Sequence, residues 1–160
     1  TFGMTQVIAD SIKKMVELEI IDTGGIGGTL AGNALSLAAM RATLTHVLTK
    51  ENFDRMIDLG TRWSDGVDAA IAEFDLPWSC NRLGARGEYI FGKVAPVTGA
   101  DANNSGDFEL EQYLHLRMLN DGFLITPFHN MALMCPDTTS ADVDAHSAAF
   151  RKMCAELVEA

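Results

Sequence analysis

The sequence predicts an α/β fold in which helices pack on a small sheet. Two features carry that reading: apolar residues recur at three- and four-residue spacing in several segments, and short β-type runs fall between those segments in alternating order. A third is quantity, since 48% hydrophobic residues in 160 are enough to fill a core at the usual domain size of about 100–200 residues.

Taken in order, Met4, Val7, Ile8, Ile12 and Met15 share one helical face. Ile20 and Ile21 then run into Gly24-Gly25-Ile26-Gly27-Gly28, which no helix survives at about 1 kcal/mol per glycine relative to alanine. Helical spacing resumes from Leu30, with Leu37, Met40, Leu44, Val47 and Leu48 on one stripe. Thr49 is expected to cap the next helix, and Glu51 places negative charge at its positive dipole end. Phe53, Met56, Ile57, Gly60, Trp63, Val67, Ala70, Ile71 and Phe74 stay in phase for about six turns, and Pro77 is expected to close the helix. Two strands are predicted at 79–85 and 88–94, with a turn at Arg86-Gly87, followed by an exposed loop over 98–106. Asp107 is expected to cap a helix that points Leu110, Tyr113, Leu114 and Met118 inward and ends with Gly122 in a left-handed position. Residues 123–126 and 131–134 read as short strands interrupted by Pro127. Thr139 and Asp142 resemble a capping box for the last helix, whose apolar face is Val143, His146, Phe150, Met153 and Leu157.

Composition narrows the function classes. Twenty-two acids against twelve bases give a net charge of −10, so the surface lacks the positive charge that nucleic acid binding needs. No apolar run reaches the ~18 residues of a membrane span, and no basic start leads into a signal-type apolar stretch. Cys80, Cys135 and Cys154 are odd in number and free of any CxxC, which favours a reducing, cytoplasmic setting over a disulfide framework or a zinc site. The chain opens on Thr1 rather than methionine, as expected of a piece of something longer.

The glycine cluster fits neither standard phosphate loop. A dinucleotide fingerprint begun at Gly25 ends on Leu30, and a P-loop begun at Gly27 reaches Gly32 but continues with Asn33-Ala34 where lysine and a hydroxyl residue are required. What remains is a glycine-rich turn feeding Thr29 and a helix start, whose free N–H groups suit an anion. His46, His115, His129 and His146 show no metal-ligand spacing, so no metal is expected. His129-Asn130 near Cys135 superficially suggests a Cys–His–Asn nucleophile, but no cysteine stands in a recognisable nucleophile context.

Gly28-Thr29-Leu30-Ala31-Gly32-Asn33-Ala34-Leu35, followed by an alanine-rich helix, resembles a segment of class III pyridoxal-phosphate-dependent aminotransferases, closest to the glutamate-1-semialdehyde aminomutase branch. Arg82-Leu83-Gly84-Ala85-Arg86, the stretch from Asn120-Asp121-Gly122 through Phe128-His129-Asn130-Met131, and the stretch from Thr138 to His146 resemble the end of that family. The resemblance covers essentially the whole chain. It departs at Ala34, where the family usually carries proline.

The resemblance implies the C-terminal part of a fold type I pyridoxal-phosphate enzyme. Residues 1–48 would be the tail of the large cofactor-binding domain and residues 49–160 a small α/β sandwich domain. It further implies that Gly28 and Thr29 contact the cofactor phosphate across a homodimer interface, and that the substrate is a small amino donor or acceptor such as an amino acid or amino-aldehyde. The lysine that forms the Schiff base lies before the Gly-Thr segment in this family, hence upstream of Thr1. None of Lys13, Lys14, Lys50, Lys93 and Lys152 sits in a matching motif, so this chain is expected to hold no catalytic lysine. The alternative is a stand-alone α/β binding module without catalysis.

Overall fold

The computed structural model describes residues 3–16, 32–126 and 129–159. The glycine cluster, Gly28 and Thr29 lie outside the described residues. The chain divides into two compact units, Thr1–His46 and Val47–Ala160.

The first unit contains α1 (Gln6–Val16) and α2 (Ala34–Ala42), the latter running into a π-helical turn over Thr43–Val47. The helix expected from Leu30 starts at Ala34, because Asn33 is extended and its side-chain oxygen accepts from the backbone N–H of Ser36 at 3.0 Å. No residue of α2 is buried, and Leu37, Met40 and Leu44 of the apolar stripe are all exposed.

In the second unit, α3 (Lys50–Glu73) begins as expected, with the Thr49 hydroxyl accepting from Asn52 N–H at 3.3 Å. It ends before Pro77. Phe74 caps it and Asp75 turns into the left-handed region at φ 48°, so the chain has already left the helix when proline arrives. Strands β1 (Ser79–Leu83) and β2 (Arg86–Ile90) pair antiparallel, with Cys80 opposite Tyr89 and Leu83 opposite Arg86. The turn therefore lies at Gly84-Ala85 rather than at Arg86-Gly87. Gly84 has φ 59°, which glycine adopts freely, whereas Gly87 sits inside the strand where the Trp63 ring leaves no room for a side chain. A third strand, β3 (Met131–Leu133), joins the other edge of β2, giving an antiparallel sheet in the order β1-β2-β3.

Two further segments differ from their sequence reading. The loop expected over 98–106 contains α4 (Gly99–Asn104), started by a complete capping box between Thr98 and Asp101, although the residues of this helix are exposed. The strand expected at 123–126 does not form. Helix α5 (Phe108–Asn120), capped by Asp107, closes with Gly122 at φ 93°, Gly122 N–H donating to Leu119 O at 3.0 Å and Phe123 N–H to Met118 O at 2.9 Å. After this Schellman closure residues 123–126 run on without regular structure, with Phe123 and Ile125 packed against the core. Leu114 and Met118 of α5 are fully buried, while Tyr113, expected inside, is 39% exposed. Helix α6 (Ser140–Glu159) starts at the predicted capping box, with the Thr139 hydroxyl accepting from Asp142 N–H at 3.2 Å and the Asp142 carboxylate accepting from Thr139 N–H at 2.9 Å.

The core joins α3, α5 and α6 to one face of the sheet through Trp63, Val67, Trp78, Tyr89, Leu114, Met118, Phe150 and Met153. Strand alternation turns Gly87 and Tyr89 toward the helices and Arg86 and Glu88 to the opposite face. Tyr89 packs 4.9 Å from Phe150 and 6.1 Å from Trp78, centroid to centroid, within the range of favourable aromatic contacts.

Candidate functional site

Two of the stretches that carry the family resemblance meet at β2. Arg86 and Glu88, two residues apart on an extended strand, project from the same face. The backbone leading into β3 brings His129 beside them. The Arg86 guanidinium donates to one Glu88 oxygen at 3.2 Å, and the other Glu88 oxygen lies 3.1 Å from Nδ1 of His129. Arg86 and His129 remain half-exposed, whereas Glu88 is three-quarters covered. Asn130, the next residue, locks this arrangement to the sheet by accepting the Tyr89 backbone N–H at 3.1 Å.

The row borders a cavity of about 510 Å³ that also touches Tyr89, Asn130 and Glu111. Charges of both signs line it, so it suits a polar, zwitterionic group better than a simple anion. Arg82 stays apart. Its guanidinium donates to Gly84 O at 3.1 Å and steadies the hairpin turn.

Glu88 and Tyr89 were not singled out from the sequence. The signal was the two-residue alternation through Arg86-Gly87-Glu88-Tyr89-Ile90, hidden by the misplaced turn. Cys135 does not join His129: its sulfur accepts from the Thr138 hydroxyl at 3.4 Å, and His129 is engaged by Glu88. Among the described residues no three His, Cys, Asp or Glu side chains form a metal-binding group.

Pyridoxal phosphate requires a lysine amine facing a cavity, and the described residues do not supply one. Lys13, Lys14, Lys50, Lys93 and Lys152 are all exposed, Lys50 pairs with Asp54 and Lys152 lies 4.0 Å from Glu156. No step of amino-group chemistry is therefore assigned to a lysine of this chain. Among the described residues, no helix is long and apolar enough to cross a membrane.

No family model matches the chain. Curated relatives and solved structures do. The chain is 31% identical over 100 residues to glutamate-1-semialdehyde 2,1-aminomutase 2 of Geobacillus kaustophilus, covering 62% of this chain and 23% of the relative. It is 28% identical over 144 residues to glutamate-1-semialdehyde 2,1-aminomutase of Clostridium botulinum, covering 88% of this chain and 34% of that protein. The crystal structure of a glutamate-1-semialdehyde aminomutase from Pseudomonas aeruginosa PAO1 in complex with PMP superposes with a TM-score of 0.83 at 43% identity, covering 96% of this chain and 35% of that one. The chain thus spans about a quarter to a third of the length of the proteins it matches. Sequence and fold together make it a portion of a class III pyridoxal-phosphate-dependent aminotransferase of the glutamate-1-semialdehyde aminomutase branch, with the fold of the type I pyridoxal-phosphate enzymes.

Proposed function

We propose that this chain is the C-terminal part of an enzyme that moves an amino group on a small amino acid or amino-aldehyde with pyridoxal phosphate. The likeness to the Pseudomonas aminomutase over 96% of the chain carries the reading, and it leaves the stand-alone binding module without support. When bound, the cofactor supplies an electron sink for bond breaking at the amino-bearing carbon. The tasks of this chain are binding and orientation. Residues 1–48 serve as the tail of the large domain, where the Gly28 amide and the Thr29 hydroxyl hold the cofactor phosphate of the neighbouring subunit in a homodimer. Such donors bind phosphate without a basic surface, in keeping with the net charge of −10. Residues 49–160 form the small domain, with Arg86, Glu88 and His129 on the side from which a small polar substrate is oriented. The working compartment is the cytoplasm.

Mixed with pyridoxal phosphate and an amino donor, the 160-residue chain alone is expected to give no turnover. Joined to the missing large domain, it is expected to bind the cofactor, and Thr29→Val is expected to weaken that binding by roughly tenfold, the equivalent of one charge-assisted hydrogen bond. Turnover by the isolated chain that disappears when one of its own lysines is replaced would overturn the assignment.

A further inference from the structure

A second cavity, of about 280 Å³, is lined by Trp63, Phe123 and Met131 together with the polar side chains of Tyr89, Thr126, Asn130 and His146. Three of these four carry a buried polar atom without any hydrogen-bond partner: Oη of Tyr89, Oδ1 of Asn130 and Nδ1 of His146. Tyr89 is 1% and Asn130 8% exposed, so bulk water does not satisfy them. Buried polar atoms in folded proteins are nearly always paired, and three orphans on residues that line one cavity call for a partner there.

The chemistry of the three is complementary. The Trp63 indole N–H donates to Nε2 of His146 at 3.4 Å, so in the neutral ring the proton sits on Nδ1 and that atom is a donor. The ring's neighbours are Trp63, Phe123 and Phe150, which offer it no charge. Asn130 Oδ1 is an acceptor, and the Tyr89 hydroxyl is both. No Asp, Glu, Lys or Arg lines the cavity, which argues against an ionic occupant. Its volume exceeds the about 150 Å³ that suffices for benzene in an apolar cavity.

We propose that this cavity binds a neutral hydroxyl group, from water or a small alcohol, which accepts from Nδ1–H of His146, donates to Oδ1 of Asn130 and is completed by Oη of Tyr89. Tyr89 and Asn130 also border the cavity beside the Arg86–Glu88–His129 row, whereas His146 lines only this one, and the proposal does not depend on the amino-transfer role.

The test uses crystals of the whole protein, alone and equilibrated with benzyl alcohol, together with titrations of benzyl alcohol and toluene followed by the ¹⁵N resonances of His146. Alone, an ordered water is expected within hydrogen-bond distance of His146 Nδ1 and Asn130 Oδ1; in the second crystal the alcohol oxygen replaces it if alcohols are admitted. Water retained in both crystals identifies water as the source. Where benzyl alcohol binds saturably, Tyr89→Phe, which keeps the ring, is expected to weaken it by roughly threefold to tenfold and to leave toluene unaffected. A cavity that is dry, or filled by a protein side chain, with no oxygen near His146 Nδ1, would overturn the proposal. So would benzyl alcohol and toluene binding alike.

Discussion

The indole N–H of Trp63 reaches Nε2 of His146 across 3.4 Å, joining the middle of α3 to the second turn of α6 inside an aromatic cluster. Burial pushes the His146 imidazole down to about 4 from its ordinary 6.5. Well above pH 6.5 the ring is neutral in folded and unfolded chains alike and has no effect on the pH dependence of stability. As pH falls from 6.5 toward 4 the unfolded chain takes up a proton that the folded chain refuses, so stability drops, and the loss levels off below the folded value. Urea denaturation is expected to show about 2 kcal/mol less stability at pH 5 than at pH 7.5 from this group. His146→Gln should lose that component of the pH dependence. An unchanged pH profile in the variant would refute the assignment.

Gly87 should resist substitution. A Cβ there would lie 2.5 Å from Cζ3 of Trp63, a ring that is itself 2% exposed and has no space to retreat into. Gly87→Ala is expected to cost roughly 2–3 kcal/mol, as overpacked cores do. The denaturation midpoint should fall with the m-value unchanged.

The helix caps should differ in what they protect. Thr49 starts α3, which carries Met56, Leu59, Trp63, Val67 and Ala70 into the core, so Thr49→Ala is expected to lower global stability by about 1 kcal/mol. Thr98 starts α4, which buries nothing, so Thr98→Ala should leave the global midpoint nearly unchanged. Hydrogen exchange would instead speed up at 101–104 alone. Equal losses of global stability in the two variants would contradict this.

The three cysteines should react in a fixed order. Cys135 is exposed, and its hydrogen bond from Thr138 draws the thiol below its usual range. Burial pushes Cys80 and Cys154 up to about 12. Because the thiolate is the nucleophile, iodoacetamide at pH 7.5 should label Cys135 first, and Thr138→Val should slow that labelling. Peptide mass spectrometry at timed intervals would show the order directly.

The local signals proved durable where one residue decides the outcome with its near neighbours. Thr49, Asp107 and the Thr139–Asp142 pair start their helices as read, because a cap is a contact across three residues. Gly122 likewise ends α5 in the left-handed region. The hairpin turn was misplaced by two residues because Gly84 and Gly87 look alike in sequence. Only the packing of Trp63 shows that Gly87 is needed for space and Gly84 for its dihedral angle.

The sequence by itself determined the α/β class, the positions of the long helices, the acidic balance of charge, and the motifs resembling class III aminotransferases. Tertiary structure decided which of those motif residues act together. Arg86, Glu88 and His129 meet because β2 and β3 pair across some forty residues of chain, and Tyr89, Asn130 and His146 share a cavity because α6 folds back over the sheet. Such contacts depend on long-range closure and packing, whose physics leaves no mark on local periodicity.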